Sequence, residues 1–166
     1  MIIPRPFLAA LLASTILVAP SAVGAQGDSA PTTDLTFTGE VNDEVTGSDT
    51  NACVLEDGDL RGQLASPGAA SILSFNLANA AVGSYPIGGA DPTLTMITLS
   101  DSPDELLVNW YGKSGTLTIA SLDSQVPVGD GTASTRGAAG SIDADISADK
   151  HGTVHISGSW ACHMPF

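Results

Sequence analysis

The sequence predicts an all-β fold: an antiparallel β-sandwich of about eight to ten strands, with a partly open β-barrel as the alternative. Three observations predict it. Apolar and polar residues alternate with a period of two in one run after another, the pattern of strands with a single buried face. Turn signals built from Gly, Pro and Asp recur roughly every 8 to 12 residues. Nowhere do apolar residues recur at helical spacing over the length of a helix; the nearest candidate, residues 69–81, suits a strand equally well. No repeat of solenoid period is evident.

Taken in order, residues 1–25 read as a secretory signal. Arg5 supplies the positive end, residues 7–19 an apolar run too short for a membrane span, and residues 23–25 a small-residue cleavage site before Gln26. Residues 26–33 form a polar tether, and residues 34–166 a single β domain. Leu35, Phe37, Gly39 and Val41 share the first buried face, and Val45 and Gly47 continue it. Residues 48–51 lie in a bulge or loop before Cys53 and Leu55. Asp57-Gly58 is a hairpin signal leading into residues 60–64. Pro67-Gly68 breaks the chain before a strand with Leu73, Phe75 and Leu77 on one face. A short strand around Tyr85 and Ile87 interrupts a long loop. Residues 93–99, apolar on both faces, suit a central strand, and 101–105 a turn. Val108 and Trp110 then alternate with Leu107, Asn109 and Tyr111, which makes Tyr111 the exposed aromatic.

Gly112 and Gly115 bracket a tight turn, and Pro127 with two further Gly pairs makes 123–139 a weak strand among loops. Ile142, Ala144 and Ile146 point inward, with Asp143 and Asp145 outward. Gly152 offers a positive-φ residue for the last turn. The closing strand buries Val154, Ile156, Gly158, Trp160 and Cys162 and exposes Thr153, His155, Ser157, Ser159 and Ala161.

The net charge is −13, and all 18 acidic residues follow the signal, against Arg61, Lys113, Arg136 and Lys150. That balance excludes nucleic acid and anionic membrane surfaces as partners, since both select basic patches. The chain left after Ala25 is long enough for one domain, with no membrane span after cleavage. Its two cysteines, Cys53 and Cys162, pair as a disulfide in an exported chain, a staple and not a redox centre, because no C-x-x-C spacing occurs.

Candidate chemistry is sparse. No G-x-S-x-G is present, and the imidazoles are His151, His155 and His163. His155 and His163 share a face but stand roughly 27 Å apart on a straight strand, too far to bind one ion. Calcium is the cofactor the oxygen-rich surface would suit, through Glu56, Asp57 and Asp59 or through Asp143, Asp145 and Asp149. The second set starts like an EF-hand, but Ala148 stands at the glycine position and Val154 at the glutamate position. In both sets a solvated strand face or turn is the simpler reading.

The run VTGSDTNACVLEDGDLRGQLA at 45–65 resembles the VTGS…C…G segment of the small mycobacterial lipoprotein antigens. The end, VHISGSWAC, is similar to their closing I-x-G strand with a late cysteine. The resemblance implies a disulfide-closed β domain of the cell envelope without established catalysis. Gln26 stands in place of the lipobox cysteine, so lipid anchoring is not expected. The function expected is that of an exported, non-catalytic protein of the cell envelope or medium, binding a protein or glycan partner through loops. A calcium-dependent adhesion module and an extracellular hydrolase are the alternatives.

Overall fold

A computed structural model describes residues 32–47, 50–66, 70–99, 106–128 and 133–164. The signal, most of the tether and the 101–105 turn lie outside these residues. The described chain is all-β and without helix, so no helix is long and apolar enough to cross a membrane. Ten strands follow in order: β1 (Asp34–Gly39), β2 (Asp43–Thr46), β3 (Ala52–Glu56), β4 (Asp59–Leu64) and β5 (Ser71–Leu77), then β6 (Gly83–Ile87), β7 (Thr93–Leu99), β8 (Leu107–Val128), β9 (Ala133–Ser147) and β10 (Thr153–His163).

They form one sheet, not two facing ones, and this corrects the sandwich. Strands β3, β4, β5, β7, β8, β9 and β10 close into a seven-stranded barrel, with β1, β2 and β6 outside the ring. The correction arises at the glycines. Gly112 and Gly115 do not turn the chain; β8 runs through them for 22 residues, paired with the 15-residue β9 across register shifts at Gly112/Ser114, Ile119/Ser121 and Leu122/Ser124. Such bulges bend a strand and raise its twist, so a long hairpin can coil round a core. On its other edge β8 pairs first with β7 and then with β6. Gly115, at φ 120°, lies so close to the β9 backbone that any side chain would meet the Asp143 carbonyl.

The inward residues agree with the alternation in the sequence. Leu35, Phe37, Leu73, Phe75, Trp110, Ile142, Ile156 and Trp160 belong to one buried cluster. The outward face carries Arg61, Asp143 and Asp145 among its side chains. Asp57 (φ 52°) and Gly58 (φ 88°) make the predicted two-residue hairpin between β3 and β4. Strand β7 is central in its pairing, but its second face is open, with Ile97 39% and Leu99 68% exposed. In the last turn the positive φ falls on Lys150, at 68°, and not on Gly152.

The ring closes at a narrow seam. Strands β10 and β3 meet through one parallel pair, His163 with Ala52, and the His163 amide donates to the Asn51 carbonyl at 3.1 Å. Beside it Cys53 and Cys162 are disulfide-bonded, Cα atoms 5.5 Å apart. Asn51, 2% exposed, fills the rest of the seam: its side-chain nitrogen lies 2.6 Å from Thr33 Oγ1 and 3.1 Å from the Ala161 carbonyl, and its oxygen accepts from the Ala65 amide at 2.9 Å. Thr33 Oγ1 bonds both the amide and the carbonyl of Ala161 at 2.9 Å. Thr33, the last residue before β1, is thus buried in the seam. Ala161, expected on the exposed side, is fully buried against Val126 and Ala139.

Candidate functional site

Outward side chains of four adjacent strands stand in two cross-strand rows. One row is Ala52, Gln63, Ser74 and Thr95; the other is Val54, Arg61, Asn76 and Thr93. Together they line an open groove of about 400 Å³ floored by the Gly62–Phe75 pair. The first row continues through Thr95 to Tyr111 of β8, whose side chain is 53% exposed. At about 4.8 Å per strand, the line from Ala52 to Tyr111 is roughly 19 Å long.

Arg61 makes no ion pair among the described residues. Arg136 is the contrast. It donates to Asp123 and holds that carboxyl below the usual carboxylate range, but both are exposed and the pair adds little stability. No carboxylate lines the groove; its polar groups are a guanidinium, two amides and three hydroxyls, a set with donors and acceptors in excess.

Next to these rows the same face turns apolar. Ile72 of β5 stands opposite Ile97 of β7, and Leu99 of β7 opposite Leu107 of β8, 68% and 52% exposed. The polar groove and the aliphatic patch thus share β5 and β7.

The acidic candidates are dispersed. Asp57 occupies the hairpin turn, and Asp59 accepts from the Asn79 amide at 3.2 Å, which ties it to the neighbouring turn. Asp143 and Asp145 lie on the outer face of β9, as alternation requires, with His155 of β10 between them: Nδ1 is 3.0 Å from Asp145 and Nε2 4.0 Å from Asp143. Asp149 instead joins Val108, Asn109 and Tyr111 in a hollow of about 200 Å³. Among the described residues no three His, Cys, Asp or Glu side chains are arranged to hold a metal ion. Addition of millimolar calcium, or of EDTA, is therefore expected to leave the Tm unchanged within about 1 °C; a rise of several degrees would show a site that binds the folded state.

His155 is half-exposed and lies between the two carboxylates, closer to Asp145 than to Asp143. His151 packs on the Trp110 ring, centroids 5.5 Å apart. Gln63, Ser74, Asn76, Thr93 and Thr95 were not singled out by sequence reasoning. Each is an ordinary outward residue, and only the register aligns them. The chain matches no protein-family model, no curated protein and no solved structure.

Proposed function

We propose that this chain is an exported, non-catalytic binding domain of the cell envelope or medium, and that its partner is a glycan seated on the sheet face and not on the loops. One observation carries the reading: the groove that crosses four strands, lined by Arg61, Gln63 and Asn76 and leading to the exposed ring of Tyr111. A sugar offers adjacent hydroxyls that donate and accept together. Side-chain amides match that pair with one donor and one acceptor, and a guanidinium adds a fork of donors. The apolar face of a pyranose stacks on an aromatic ring, which Tyr111 supplies.

Export is supported by the disulfide, which suits an oxidising compartment, and by the signal-like N-terminus. The strongly acidic surface favours a neutral ligand over nucleic acid. The test is a glycan array read with the full chain and with Arg61→Ala, Asn76→Ala and Tyr111→Ala. Each substitution is expected to weaken binding about tenfold or more, equivalent to ~1.4 kcal/mol, with the Tm unchanged because all three residues are exposed. If no oligosaccharide binds, or all three variants bind like the parent, the groove is not a glycan site.

A further inference from the structure

The polar rows and the aliphatic patch are neighbours on the same strands. Along β7 the outward residues run Thr93, Thr95, Ile97, Leu99, from groove to patch without a charged side chain. Ile72 flanks Ile97, and Leu107 flanks Leu99. Six residue steps along the strand separate the first position from the last, roughly 20 Å. Pairs of aliphatic side chains standing in water across a sheet are costly unless something covers them. A ligand that is polar at one end and hydrocarbon at the other would cover both surfaces in one pose.

We infer that the ligand is a glycolipid-type amphiphile, its sugar head in the groove and its hydrocarbon chain laid along Ile72, Ile97, Leu99 and Leu107. This rests on the glycan reading and adds the chain to it. The bound hydrocarbon touches side chains that no head group reaches, so affinity must rise with chain length. A fully buried methylene contributes about fourfold, and a chain lying on an open face contributes part of that.

The experiment measures binding of maltose and of octyl, decyl and dodecyl maltoside, below their micelle concentrations, by amide NMR shifts of the full chain. A Leu99→Thr/Leu107→Thr variant, which keeps β propensity on an exposed face, is measured alongside, with sedimentation of both proteins. The inference expects affinity to rise about tenfold or more from octyl to dodecyl, shifts at both Arg61 and Leu99, and loss of the chain-length dependence in the variant at unchanged Tm. Array-positive sugars with no chain-length dependence would overturn the amphiphile and leave the glycan reading standing. A dimer that the leucine substitutions dissociate would assign the patch to a second copy and overturn it. So would binding to neutral phosphatidylcholine vesicles without binding of the monomeric detergents. Failure of every array sugar and every detergent would remove both readings.

Discussion

Replacing Trp160 by alanine should cost about 3–5 kcal/mol, as truncation of a large buried ring does, measured by denaturant unfolding. The indole is fully buried in the barrel and stacks at an angle on Phe75, centroids 4.9 Å apart. Its Nε1 has no hydrogen-bond partner among the described residues, so the loss expected is one of packing. Trp160→Phe should accordingly recover most of it, leaving a deficit of about 1–2 kcal/mol from the smaller ring. Trp110 is the internal comparison. Its Nε1 donates to the buried Thr98 hydroxyl at 3.0 Å, and Trp110→Phe should lose that bond in addition to ring area. A cost below about 1 kcal/mol for Trp160→Ala would mean that β10 does not close the core.

Removing the disulfide should have an effect of similar size by a different route. Cys53 and Cys162 close a loop with a sequence separation of 109. In the loop-entropy account, opening it stabilises the unfolded chain by about 4–5 kcal/mol. The position makes the folded state vulnerable as well, because the barrel seam has a single β-bridge at His163–Ala52. For Cys53→Ala/Cys162→Ala the expected fall in Tm is roughly 12–20 °C, and reduction of the parent chain should reproduce it. A fall under about 3 °C would show that the Asn51–Thr33–Ala161 hydrogen bonds hold the seam unaided. That network is fully buried and satisfied, which is the condition under which polar groups strengthen an interior.

Much of the strand plan was legible. Asp57-Gly58 announced its hairpin because a two-residue turn needs positive φ at both residues. Ile142, Ala144 and Ile146 announced their face because a strand alternates by geometry. Tyr111 was correctly placed in solvent on the same ground. Gly112 and Gly115 misled, since a glycine that ends a strand and one that lets a strand bulge look alike in one dimension. Thr33 and Asn51 misled for another reason: polar residues beside a loop read as solvated until their partners, more than a hundred residues away at Ala161, are known.

By itself the sequence determined the all-β class, which side of each main strand is buried, and the pairing of its two cysteines, because side-chain period and redox chemistry are local properties of the chain. Whether the strands would stack as two sheets or close as one barrel was decided only by the tertiary structure. So was the row of Arg61 beside Asn76 and of Thr95 beside Tyr111, because a period of two says which way a residue faces and nothing about which residue stands next to it on the neighbouring strand.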